Sequence, residues 1–146
     1  MAGPEQKAGI MTQLHVVLPG QPVGKGRPRF GGGRAYTPKK TKDYEQLLAA
    51  AARFEMDQAG FEATEMPCKM LILAQFAIPK SWAKWRQQAA QLGEYTPGRP
   101  DIDNVAKAVL DAFNGIVYVD DAQVFDLQVK KTYGQPLLVA TVSWDE

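Results

Sequence analysis

The sequence predicts an α+β domain with a small mixed, mainly antiparallel sheet packed with helices, in the order β-α-β-(α)-α-β-β. Three observations lead there. Two stretches repeat apolar residues at helical spacing, one long run is apolar almost throughout, and the C-terminal region alternates apolar with polar residues at a period of two. At 146 residues the chain is one domain, which on folding buries roughly 68–70 % of its unfolded surface. Hydrophobic residues at 45 % and charged residues at 23 % are those of an ordinary globular protein, not a disordered one.

Met1–Gly9 reads as a loose tail, with Met11 as a natural start; residues 1–12 are assigned to the tail and 13–146 to the domain. Leu14–Leu18, closed by Pro19-Gly20, is a short first strand. Gly20–Pro38 is rich in Gly, Pro and basic residues around Gly31-Gly32-Gly33, and no regular element is expected in it. Tyr44, Leu47, Leu48, Ala51, Phe54 and Ala59 recur at helical spacing, which predicts a helix over Lys42–Gln58 that opens at Pro38 or Thr41 and stops at Gly60. Met66–Ile78, interrupted only by Lys69 and Gln75, is too apolar for a half-exposed strand and reads as a central one.

Pro79–Leu92, with Trp82 and Trp85, is a helical insertion, and Gly93–Gly98 a turn. From Asp103 onward Val105, Ala108, Val109, Ala112 and Phe113 form one apolar helical stripe, which Asn114-Gly115 stops. Phe125, Leu127, Val129 and Tyr133 alternate with Asp126, Gln128, Lys130 and Thr132 as a two-faced strand. Gly134-Gln135 is then expected to make a tight hairpin turn into a last strand with Leu138, Ala140, Val142 and Trp144 on one face.

Composition excludes several classes of function. No apolar run approaches the roughly 20 residues of a membrane span, and Met1–Ile10 lacks the apolar core of a signal peptide, so a cytoplasmic protein is expected. The lone Cys68 can form no intramolecular disulfide and has no metal-ligand spacing around it. A net charge of +1 conceals a strong asymmetry. Gly24–Lys42 holds seven basic residues (Lys25, Arg27, Arg29, Arg34, Lys39, Lys40, Lys42) and no acid, whereas Asp101–Asp126 holds six aspartates against one lysine. A phosphate-binding arm beside a cation site produces that pattern, although a solvated loop also supplies its first half.

The acidic focus begins with Asp101 and Asp103 at the start of the third helix and returns with Asp120-Asp121 after the Asn114-Gly115 stop. Helix capping accounts for one aspartate but not for two plus a second pair. Mutually repelling carboxylates need a compensating cation, and hard oxygen ligands suit Mg²⁺ or Mn²⁺. A calcium-binding EF-hand fails on spacing, because Val105 and Ala106 stand where a ligand and a glycine are required. Lys107 follows Asp103 by four residues and precedes Asp111 by four. An ion-pair ladder worth about 0.2–0.5 kcal/mol per pair and an ammonium serving the metal site explain that spacing equally well. Asp111 is assigned to structure. The basic loop lacks interleaved aromatics, which points to phosphate contact and not base reading, and Arg99 is placed to touch a phosphate near the acids. His15 and the Trp82/Trp85 pair read as structural residues.

Arg99–Gly115 together with Val117–Val124, the upstream Gly-Lys-Gly-Arg-Pro-Arg-Phe and Tyr-Thr-Pro-Lys-Lys-Thr segments, resembles the RusA-type Holliday junction resolvases (crossover junction endodeoxyribonucleases) of bacteria and their phages. The resemblance covers most of the chain from Leu14 onward. It implies a homodimeric Mg²⁺-dependent endonuclease, Mn²⁺ being able to substitute, that nicks opposed strands of a four-way DNA junction in recombination and repair. It also implies Asp101, Asp103 and Asp121 as catalytic metal ligands and Lys107 as a catalytic lysine, with Asp120 a neighbour. DNA contacts are expected from Lys25, Arg27, Arg29, Arg34, Lys39, Lys40 and Arg99. No membrane and no small-molecule cofactor is expected. The Pro79–Gly98 stretch looks longer than in a minimal family member.

The expected reaction is in-line attack of a metal-activated water on the scissile phosphate, with three carboxylates of one subunit forming one site and a dimer supplying two sites. The rivals are a less selective nuclease acting on forks or flaps and a non-catalytic junction-binding protein. A sugar-nucleotide transferase is disfavoured by the small size of the chain.

Overall fold

A computed structural model describes residues 10–27 and 29–146; the tail assigned to Met1–Gly9 lies outside them. In chain order the elements are β1 (Met11–Pro19), β2 (Arg29–Gly31), β3 (Arg34–Tyr36), α1 (Lys39–Ala59), β4 (Cys68–Phe76), α2 (Lys84–Gln91), α3 (Ile102–Phe113), a 3-10 turn at Asp121–Gln123, β5 (Val124–Tyr133) and β6 (Leu137–Asp145). The main sheet has the order β1-β6-β4-β5. β6 runs antiparallel to both of its neighbours, while β5 runs parallel to β4. The fold is therefore α+β with a mixed, mostly antiparallel sheet. Met11 and Thr12, assigned to the tail, are the first residues of β1 and pair with Asp145 and Trp144.

One face of the sheet meets the helices. Leu14 and Val16 of β1, Met70, Ile72 and Ala74 of β4, and Leu138, Ala140 and Val142 of β6 alternate inward, as a pleated strand requires. Against them pack Leu48, Ala52 and Met56 of α1 and the stripe Val105, Val109, Ala112 and Phe113 of α3. Removing that apolar surface from water at about 25 cal/mol per Å² is the main source of stability. The expected stripe on α1 is partly corrected. Its buried face is Thr41, Tyr44, Leu48, Ala52 and Met56, and Leu47 and Phe54 are exposed.

Two further expectations change. Gly134-Gln135 does not close a hairpin, because β4 lies between β5 and β6. The Gly134 N–H donates to the Phe76 carbonyl at 2.9 Å, so the connection crosses the end of β4. It spans two strand spacings, about 9.6 Å, which three residues can reach. Nor is the basic loop without regular structure, since Arg29–Gly31 and Arg34–Tyr36 pair as a short exposed hairpin turned by Gly32 and Gly33, both at positive φ. Among the described residues no helix is long and apolar enough to cross a membrane.

Candidate nucleic-acid interface and carboxylate site

α3 is the centre of the site. Its inner residues anchor it in the core, and its first turn opens into a groove of about 950 Å³. Arg27, Arg29, Lys40, Arg99, Asp101 and Asn104 line this groove, together with the Gln21–Gly26 backbone and Thr41. Side chains from the basic loop, the start of α1 and the residue before the acidic motif thus converge on one opening. Arg34 and Lys39, also expected at the DNA, lie outside the groove walls, Arg34 on the exposed hairpin and Lys39 paired with Asp43 at 2.7 Å on the surface of α1.

The loop is fixed by specific bonds. Thr41 Oγ1 accepts from the Gly26 N–H at 2.9 Å and donates to the Gly24 carbonyl at 3.4 Å. The Lys25 N–H donates to the Asn104 carbonyl on α3 at 2.8 Å. The Lys25 ammonium bonds Glu45 of α1 at 2.7 Å and Asp111 of α3 at 3.0 Å. Burial works to lower the Lys25 pKa, but the bonds to Glu45 and Asp111 outweigh it and the net displacement is upward. Lys25, expected among the phosphate contacts, is thus engaged as a staple between the loop and two helices. The same bond corrects the expected ladder on α3. Among the described residues Lys107 pairs with neither Asp103 nor Asp111, and it projects from α3 exposed. Glu45 carried no signal in the sequence, while Thr41 was visible only as a possible helix start.

Asp101 occupies the N-cap position of α3, yet its side chain makes no capping hydrogen bond; its backbone carbonyl accepts from Asn104 and Val105. Asp103 lies in the first turn of the helix, exposed and in no ion pair among the described residues. Asp101 lies in the wall of the basic groove and Asp103 follows two residues on, and among the described residues neither is in an ion pair or a side-chain cap. The capping explanation for Asp101 therefore lacks its hydrogen bond.

The second acidic pair divides cleanly. Asp120 caps the 3-10 turn in a reciprocal box, its side chain accepting from the Gln123 N–H while Gln123 Oε1 accepts from the Asp120 N–H at 2.9 Å. The Gln123 amide also donates to the Thr64 and Met66 carbonyls, which pins this corner to the β4 side of the fold. Asp121 takes no part in the box. Its charge acts on buried Tyr118, whose hydroxyl donates to the Leu110 carbonyl at 2.8 Å in the second half of α3. Burial first, and then the carboxylates of Asp121, Asp111 and Asp120, push the Tyr118 pKa far upward.

Among the described residues no group of three or more His, Cys, Asp or Glu side chains could hold a metal ion. The donor chemistry of Asp101, Asp103 and Asp121, hard carboxylate oxygens, fits a divalent cation such as Mg²⁺ or Mn²⁺.

A cationic groove of this kind, with Asp101 in its wall, is a surface that can take a phosphate backbone. The comparison with known families agrees and is more specific. A family model described as Endodeoxyribonuclease RusA matches residues 19–142, most of the chain, and the protein belongs to that family. It is also 34 % identical over 132 residues to an uncharacterized protein, YqaN, of Bacillus subtilis (strain 168), a match covering 86 % of this chain and 91 % of the relative.

Proposed function

We propose that this member of the endodeoxyribonuclease family is a Mg²⁺-dependent Holliday junction resolvase, cutting four-way DNA by paired symmetric nicks. The observation that supports this most directly is the basic groove with Asp101 in its wall, a carboxylate in no ion pair or side-chain cap among the described residues, with Asp103 two residues further on. Asp101 and Asp103 would hold the metal, with Asp121 as third ligand. When bound, a divalent cation supplies charge neutralisation at the phosphate and a more acidic water.

The chain's own groups have separate tasks in this reading. Arg27, Arg29, Lys40 and Arg99 draw the phosphodiester backbone into the groove by charge, and Arg34 on the hairpin extends that reach. Lys107, four residues beyond Asp103 and in no ion pair among the described residues, is available to stabilise the phosphate's developing negative charge. The homodimer belongs to the proposal because a four-way junction presents two opposed strands to be cut. Each subunit would bring its own Asp101, Asp103 and Asp121, and a two-fold axis would relate the two sites as it relates the two opposed strands.

The test uses a synthetic four-way junction, a fork and a linear duplex, each with Mg²⁺ or EDTA. Paired nicks confined to the junction, lost in Asp103→Asn while junction binding persists, are the expected result. Equal cutting of the fork would replace the resolvase with a less selective nuclease. Binding without cutting under any divalent metal would refute the catalytic claim.

A further inference from the structure

The segment Gly98–Pro100 leads straight into Asp101 and carries Arg99, so whatever fixes its carbonyls aims two groups of the groove. Lys131 does this from a distant part of the chain. It lies on β5, the edge strand, in register with buried Ala74 of β4, so its side chain shares the sheet face that looks toward the helices. From there its ammonium donates to the Pro100 carbonyl at 2.9 Å and to the Gly98 carbonyl. These two carbonyls flank Arg99-Pro100. One belongs to the peptide plane that bears the Arg99 N–H, the other to the plane that bears the Asp101 N–H.

An ammonium is strongly hydrated and presents three donors. Committing two of them to neutral carbonyls, with no carboxylate pairing it among the described residues, has little value for the core. Its neighbour Lys130 makes the contrast. It is in register with Leu73 on the opposite face and is exposed. An ordinary edge lysine behaves like Lys130. Lys131 instead reaches under the loop that presents the groove's arginine and its first carboxylate.

We propose that Lys131 is a positioning residue of the nuclease site, clamping the peptide planes on either side of Arg99-Pro100 so that Arg99 and Asp101 keep their aim. The inference rests on the nuclease reading above. It assigns no contact with DNA or metal to Lys131 itself. Its effect passes through Asp101, whose placement a shift of about 1 Å would spoil at a cost of up to roughly 10²-fold in rate.

The experiment compares Lys131→Met, which keeps the stem and deletes the donors, with Lys131→Arg, which keeps donors. Four readouts are taken on the full chain: thermal unfolding, amide hydrogen exchange, junction binding in EDTA, and single-turnover junction cleavage across a Mg²⁺ titration. Lys131→Met is expected to unfold near the wild-type temperature and to bind the junction as wild type does. Its amides at Arg99, Asp101 and Ile102 should exchange faster while those of β4 and β6 do not. Cleavage should fall by about 10- to 100-fold with the Mg²⁺ midpoint displaced upward, and Lys131→Arg should recover most of the rate. Wild-type cleavage and unchanged loop exchange in Lys131→Met would overturn the proposal. So would a rate loss that merely follows global unfolding and that Lys131→Arg does not rescue. If wild type itself cuts nothing, the nuclease reading fails by that result, and the exchange comparison still decides whether Lys131 holds the loop.

Discussion

Replacing Lys25 by methionine separates two roles that the sequence makes look alike. In the fold the Lys25 ammonium lies 2.7 Å from Glu45 and 3.0 Å from Asp111, with side-chain exposures of 22 %, 18 % and 38 % respectively. A charge-assisted hydrogen bond contributes about 1.5–3 kcal/mol when well enclosed, and an exposed ion pair less than about 1 kcal/mol. The Glu45 bond falls between those limits and the Asp111 bond near the lower one, so Lys25→Met should cost about 2 kcal/mol. At about 2–4 °C per kcal/mol for a chain of this size, Tm falls by about 4–8 °C. Thermal unfolding at neutral pH reads this directly, and junction binding at several salt concentrations reads the alternative. A lysine that neutralises a phosphate contributes about 0.9 to the slope of log K against log salt. A staple contributes to Tm and leaves the slope unchanged. An unaltered Tm with a shallower salt slope would refute the staple and return Lys25 to the DNA surface. The pH dependence has a definite sign. Although burial opposes it, the pKa is raised by Glu45 and Asp111, so the stabilisation is complete below the unfolded lysine value of about 10.4. It is lost as pH rises through the folded value, and the gap between wild type and Lys25→Met should close there.

Three other substitutions have equally definite outcomes. Burial pushes the Tyr44 phenol up to about 12, and among the described residues its hydroxyl has the Val23 backbone nearby but no partner in hydrogen-bond geometry. The neutral phenol's contribution is present below the unfolded tyrosine value of about 10 and is lost as pH rises toward the folded value, so Tyr44→Phe should flatten that alkaline loss. In urea unfolding at neutral pH it should be neutral or stabilising by up to about 1 kcal/mol; a loss of more than that would reveal a partner for the hydroxyl. Gly24→Ala would put a Cβ 2.6 Å from Pro100 Cβ and 3.3 Å from Asn104 Cβ, costing about 1–3 kcal/mol and weakening junction binding as the loop parts from α3. Asp120→Ala should cost about 1 kcal/mol of stability through the lost cap and leave cutting intact, whereas Asp121→Asn should keep Tm and lose cutting. The opposite pattern would exchange the roles of the two aspartates.

Much of the fold and part of the site could be read along the chain, where the controlling physics is local. The α3 stripe Val105, Ala108, Val109, Ala112 and Phe113 is buried throughout, and Asn114-Gly115 ends that helix with Gly115 at positive φ. β4 is central, as its continuous apolar run requires. The convergence of a basic segment on the acidic motif was also present in the order of charges. On α1 the periodicity was right and the face partly wrong. Leu47 and Phe54 point outward because burial is set by the position of the sheet, which helical spacing does not encode.

The amino-acid sequence by itself determined the elements, the central strand, the basic loop, the Asp101–Asp103 pair and the family. Tertiary structure alone decided how residues far apart share charge and space. It spent Lys25 on Glu45 and Asp111, gave Asp120 to a cap while leaving Asp121 out of it, and set β4 between β5 and β6. It also sent Lys131 beneath the loop that presents Asp101. Caps, stripes and stops are settled within a turn or two of chain. Ion pairs, strand neighbours and carboxylate clusters depend on partners dozens of residues away, and the packing of α1 and α3 on one sheet face chooses among them.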